Sequence, residues 1–257
     1  MKARRESILA GIQPVAAALK ANAGAIRRIR VAEESGNQRV RDLALMAGDA
    51  GIEVVVERRD RLDQLAGIER HQDIIAEVRD EVLGEADLEP LLEAVQGDPL
   101  LLVLDGLQDP HNLGACLRTA EAAGAHAVII TRDRSAGLTT AARKTSAGAS
   151  ELLPVLQVTN LARVLRTLKQ RGIWLVGTSE DAERELYEQD LSGPLALVLG
   201  SEGRGMRRLT SESCDFLVRI PMAGAIESLN VSVAAGVCLY EALRQRRPGR
   251  AATAVAR

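Results

Sequence analysis

Aromatic residues are almost missing from this chain of 257 residues: one Trp, one Phe and two Tyr, 2% of the sequence. That excludes a nucleic-acid surface built on rows of stacked bases. Lysine is scarce too, confined to Lys2, Lys20, Lys144 and Lys169, so Arg carries most of the positive charge. Charge of one sign is not in excess. The 33 basic residues face 35 acidic ones, for a net charge of −2, so any contact with a polyanion has to come from a local patch. Cysteine occurs only as Cys116, Cys214 and Cys238. An odd, scattered set excludes a disulfide framework, predicts no metal site and suits the reducing cytoplasm. No apolar run reaches membrane-spanning length, and the charged N-terminus is unlike a secretion signal, so no membrane partner is expected.

What is present is 46% apolar residues, enough to bury one large domain or two modest ones. Periodicity predicts a small α/β unit over residues 1–82, with strands at Ile26 to Val31, Ile52 to Val56 and Ile74 to Val78 and a helix from Arg39 to Ala50. The Gly- and Pro-bearing stretch 83–98 reads as a linker. Residues 99–247 open with Leu100-Leu-Leu-Val-Leu104, an apolar run typical of a strand buried on both faces. Further strands are predicted at Ala127 to Thr131, Pro154 to Val158, Ile173 to Thr178 and Leu195 to Leu199, with helices between most of them. The expectation is a parallel sheet covered by helices. Residues 248–257 read as a basic, disordered tail.

Three polar, Gly-bearing loops stand at strand ends, where open α/β sheets bind ligands. The first is Asp105-Gly-Leu-Gln-Asp-Pro-His-Asn-Leu-Gly-Ala-Cys-Leu-Arg118, with Asn112 as the expected N-cap of a helix over Leu113 to Ala123. The second is Leu199-Gly-Ser-Glu-Gly-Arg-Gly-Met206, which matches neither the dinucleotide nor the P-loop pattern. The third is Ile220-Pro-Met-Ala-Gly-Ala-Ile-Glu-Ser-Leu-Asn230, with Ser228 and Asn230 where a helix begins.

As an ordered triple, these loops resemble the three motifs of the SpoU/TrmH RNA 2′-O-methyltransferases. Gly11-Ile-Gln-Pro-Val-Ala-Ala-Ala-Leu19 and His71-Gln-Asp-Ile-Ile75 extend the resemblance, to the branch that methylates guanosine in 23S rRNA. The resemblance implies a C-terminal trefoil-knot (SPOUT) methyltransferase domain, an N-terminal RNA-binding domain, S-adenosyl-L-methionine as cofactor, 23S rRNA as substrate rather than DNA, and a homodimer whose partner chain completes each site. It also implies that Gly200, Ile220 and Leu229 hold the cofactor, and that Asn112, Arg118, Glu202, Ser228 and Asn230 form the catalytic surroundings. The family proposal makes Arg118 a base. An arginine is a poor base, and a fork that binds phosphate and stabilises alkoxide charge is the preferred role. Glu227, beside Ser228, departs from the small polar residue expected there.

Other polar residues leave two readings each. Arg118 is otherwise a surface ion-pair partner of Glu121 or Glu151. His71 either supports the fold or touches RNA, His111 is a loop residue or a base, and His126 is structural. Arg27, Arg28 and Arg30 form either a solvated face or an RNA-facing patch. Ser135, Arg143 and Lys144 lie in a solvated loop or against phosphates. A tRNA substrate, a non-catalytic ribosome-assembly factor and, more remotely, a nucleotide-dependent oxidoreductase stay open as alternatives.

Overall fold

A computed structural model describes residues 4–68, 70–133 and 135–247. The predicted tail 248–257 lies outside them. The N-terminal unit comprises β1 (Arg4–Ala10), α1 (Ile12–Asn22), β2 (Ile26–Ala32), α2 (Gln38–Asp49), β3 (Glu53–Glu57), α3 (Arg59–Ala66) and β4 (Ile74–Glu81). Its four strands run in the order β1-β4-β2-β3, with only β2 and β3 parallel. Leu9, Val15, Ile29, Leu43 and Ile74 centre its core.

The second unit begins with α4 (Leu88–Ala94), β5 (Leu100–Asp105), α5 (Pro110–Ala122), β6 (Ala127–Thr131), α6 (Thr140–Thr145), α7 (Ala149–Leu152) and β7 (Val155–Val158). It continues with α8 (Leu161–Gln170), β8 (Trp174–Thr178), β9 (Arg184–Glu185), β10 (Leu195–Gly200), α9 (Arg208–Ser213), β11 (Phe216–Arg219) and α10 (Val231–Arg246). Its seven strands are ordered β7-β6-β5-β10-β8-β11-β9, and every pairing is parallel. The period-two alternation of strands divides β5 between two cores. Leu102 and Leu104 pack with Leu113 and Leu117 of α5 and Leu239 of α10. Leu101 and Val103 pack with Val164, Leu165 and Leu168 of α8, whose buried residues recur at helical spacing. All C-terminal strand ends therefore lie along one edge, and the three polar loops meet there.

The stretch 83–98 is folded onto this sheet. Leu83 bridges Leu156 of the edge strand β7, Leu88 is buried, and Glu85 accepts hydrogen bonds from the backbone of Thr159 and Asn160. The two units also touch directly. At Gly148 a side chain would come within 2.7 Å of Ala17 of α1, so the left-handed turn before α7 seats that helix.

One expectation needs correction, and two readings left open are narrowed. Asn112 is not an N-cap. Helix α5 starts earlier, at Pro110, and Asp109 caps it through His111 N at 2.8 Å, since Pro suits the first helical position. The arginines of β2 are paired within the sheet, in line with the solvated-face reading: Arg27 pairs with Glu6, Arg28 with Glu53, and Arg30 with Glu57 and Glu77. Carboxylates on the adjacent strands β3 and β4, and on β1 one strand further, take up their charge. His71 is fully buried, with Nδ1 accepting from Asp73 N and Nε2 3.1 Å from Asp63, which excludes an RNA contact.

Candidate active site

The loops after β5, β10 and β11 bring three predicted residues into one cluster. Asn112 Nδ2 donates to Glu202 Oε1 at 3.1 Å. Asn230 Nδ2 donates to the same oxygen at 2.5 Å and to Asn112 Oδ1 at 3.1 Å. Val231 N adds a third donor to Glu202 Oε1 at 3.3 Å. Asn230 is held from behind, because its Oδ1 caps α10 by accepting from Ser232 N and Ser232 Oγ at 2.9 and 2.6 Å. Both donors of Asn230 are thus engaged, whereas Asn112 keeps one N–H uncommitted among the described residues.

The cluster stands at the rim of a cleft of about 910 Å³. Leu199, Ile220, Leu229, Val231 and Ala234 supply apolar wall, and Glu180, Asp181, Glu185, Glu202 and Glu227 outnumber Arg204 and Arg219 among its charges. Gly200 sets the wall's shape. A Cβ there would lie 2.0 Å from the Gly205 carbonyl carbon and 2.1 Å from Met206 N, so the strap 201–206 folds against bare backbone. Ser201 and Gly205 close that strap with two backbone hydrogen bonds, and Gly203 and Gly205 turn through positive φ.

The predicted cofactor residues Gly200, Ile220 and Leu229 all line the cleft, as does Ser228, which is exposed. Arg118 is not brought to the cluster. It lies six residues beyond Asn112, about 120° round the same helix. It is exposed and has no ion-pair partner among the described residues; Glu151 is taken by Arg143. His111 contacts Thr145 Oγ1 at 3.2 Å, and His126 accepts from Leu100 N, with burial holding its pKa down. Cys116 lies buried under the cluster, its thiol pushed up to about 12 by burial and then by the charge of Glu202. Sequence reasoning missed Glu180 and Asp181, which follow β8 with no motif to mark them. It also missed the role of Asp105 and Arg207, which hydrogen-bond across 102 residues of sequence.

An all-parallel sheet with its polar loops gathered at one edge, and an amide–carboxylate cluster beside an acidic cleft, define the class: an α/β ligand-binding domain joined to a smaller α/β unit. A model of the SpoU rRNA Methylase family matches residues 99–240, and one for RNA 2′-O ribose methyltransferase substrate binding matches residues 8–81. The chain belongs to the SpoU rRNA methylase family. The 23S rRNA (guanosine-2′-O-)-methyltransferase RlmB of Ralstonia nicotianae is 52% identical, over 94% of this chain and 97% of its own. RlmB of Pseudomonas aeruginosa is 53% identical over 93% of this chain and 96% of its own. Among solved structures, the SpoU methyltransferase AviRb of Streptomyces viridochromogenes, in complex with AdoMet, superposes with a TM-score of 0.80 at 28% identity, covering 94% of this chain and 90% of that one.

Proposed function

We propose that this chain transfers a methyl group from S-adenosyl-L-methionine to the ribose 2′-hydroxyl of a guanosine in 23S rRNA, as the names of its relatives state for them. The observation that carries the reading is the Asn112–Glu202–Asn230 cluster at the rim of the cleft. The cleft fits the cofactor: carboxylates suit a sulfonium cation and an ammonium group, and the apolar wall suits an adenine. Gly200, Ile220 and Leu229 would hold it. When bound, S-adenosyl-L-methionine supplies a methyl group made electrophilic by positively charged sulfur.

The chain's own residues then have separable tasks. Glu202 fixes the two amides, and the uncommitted N–H of Asn112 is a donor for a ribose oxygen. Ser228 offers a hydroxyl at the same rim. Ile220, Pro221 and Met222, the cleft-lining part of an uncharged stretch, supply a wall that favours charge cancellation over separated, hydrated ions. Arg118 faces elsewhere on its own chain, and its proposed task is in a second copy, binding RNA phosphate and stabilising charge on the 2′-oxygen. Val233 and Tyr240, half exposed on α10 with Val237 between them, form an apolar stripe for such a homodimer. The reading includes a knotted unit over residues 99–247, a substrate-binding unit over residues 1–82 reached through 83–98, and action in the cytoplasm. Among the described residues no helix is long and apolar enough to cross a membrane.

The test is ribose-methylated nucleotide content in a strain lacking the protein. Loss of one 2′-O-methylguanosine from 23S rRNA, restored by the intact gene, supports the reading. Loss from tRNA moves the substrate. Unchanged rRNA and tRNA favours the binding-factor alternative.

A further inference from the structure

Asp105 ends β5 with a side chain that is almost completely buried. An ionised carboxylate is costly to bury unless its oxygens are well bonded. Here both oxygens are given to one distant residue. Oδ2 accepts from Arg207 N at 2.9 Å, Oδ1 accepts from Arg207 Nε at 2.7 Å, and Nη2 completes the ion pair. The Arg207 side chain is 56% exposed, so the guanidinium could be solvated and is drawn inward by this carboxylate. Position explains the effect. Gly200, where the strap 201–206 departs, is paired in register with Asp105, and Arg207 is the residue at which the strap returns. One residue therefore grips both ends of a loop whose two left-handed glycines leave it little stiffness of its own. That loop carries Glu202 and one wall of the cleft.

We infer that Asp105 is a positioning residue: through Arg207 it latches the strap, and so fixes Glu202 and the cofactor-facing wall together. The inference rests on the cleft being the cofactor site. The test uses the full chain with Asp105→Asn, Arg207→Gln, the double variant and Arg207→Lys. S-adenosyl-L-methionine binding is measured by calorimetry, amide exchange across 201–206 by mass spectrometry, and KM for rRNA separately. Each single variant weakens cofactor binding by about tenfold to a hundredfold, the size expected for charged hydrogen bonds. The double variant is no worse than the more damaging single one, because one contact is lost in all three. Arg207→Lys, which keeps charge but not the fork, falls between. KM for rRNA stays unchanged, and exchange quickens in 201–206 but not in the N-terminal sheet. Additive effects, or native exchange in the strap of Asp105→Asn, overturn the inference. If Asp105→Asn does not fold, Arg207→Gln carries the test from the half-exposed side. If the unaltered protein binds no S-adenosyl-L-methionine, the reading of the cleft falls, and strap exchange alone decides the latch.

Discussion

Asn230 does two things at once, and they can be separated by substitution. Its Oδ1 caps α10, and its Nδ2 ties Glu202 to Asn112. Asn230→Ala removes both. Loss of the cap costs about 1 kcal/mol, a fall in Tm of about 2–4 °C for a chain of this size. Loss of the donor frees Glu202 and Asn112 to rotate, and loss of one preorganised donor lowers kcat by ~10²–10³. Asn230→Asp keeps the acceptor and therefore the cap. Where Nδ2 lay 2.5 Å from Glu202 Oε1, it sets a second carboxylate, which repels the first or takes up a proton. The predicted pattern is a rate as low as that of Asn230→Ala, with any fall in Tm coming from the carboxylate pair and not from loss of the cap. Thermal melts and single-turnover methyl transfer to rRNA measure the two halves. If Asn230→Asp keeps more than about a tenth of the rate, a barrier change under about 1.4 kcal/mol, the cluster is only a helix cap and the reasoning fails.

Gly200→Ala places a Cβ 2.0 Å from the Gly205 backbone, so the strap must shift, and S-adenosyl-L-methionine affinity should fall at least about tenfold by calorimetry; native affinity would show that the strap is not the cofactor wall. Burial first of all raises the thiols of Cys116, Cys214 and Cys238 to about 12. At pH 8 only about one in ten thousand of each is thiolate, so iodoacetamide should label none in the folded chain and all three in urea; prompt native labelling of any of them contradicts that packing. His126 is held below its ordinary value of 6.5 chiefly by burial, so its neutral form belongs to the folded state. The stability it contributes is present above pH 6.5 and is lost as pH falls through the lower folded value. Denaturant unfolding from pH 7.5 to 5 should show this loss, and His126→Gln should flatten it; an equal slope in the variant assigns the loss to other groups.

Much of the catalytic unit was legible because its strands are buried on both faces. Leu100 to Leu104 and Ala127 to Thr131 read as near-continuous apolar runs, and the structure departs from the expected bounds of β5 and β6 by one residue at most. The three loops were legible as Gly-bearing polar segments at strand ends, and the structure brings Asn112, Glu202 and Asn230 together from separations of 28 to 118 residues. What was missed has a common cause. Strand β1 begins with charged residues and ends in only three apolar ones, Ile8-Leu9-Ala10, and β9 is only Arg184–Glu185, held by pairing with β11 rather than by its own pattern. The arginines of β2 looked available in sequence because their carboxylate partners come from three other strands. Asp105 looked like part of a loop, since nothing local distinguishes a buried carboxylate from an exposed one. Arg118 stands exposed on α5, away from the cluster on its own chain, so its proposed task rests on the second copy proposed above.

Methyl transfer by the purified protein tests the central claim most directly. Labelled S-adenosyl-L-methionine would be incubated with rRNA from a strain lacking the protein, and the product digested and identified by mass spectrometry. The account predicts label in a single 2′-O-methylguanosine of 23S rRNA, abolished by Asn112→Ala and Asn230→Asp alike. Label on a base, or full incorporation by either variant, would contradict the assignment of this cluster to ribose methylation.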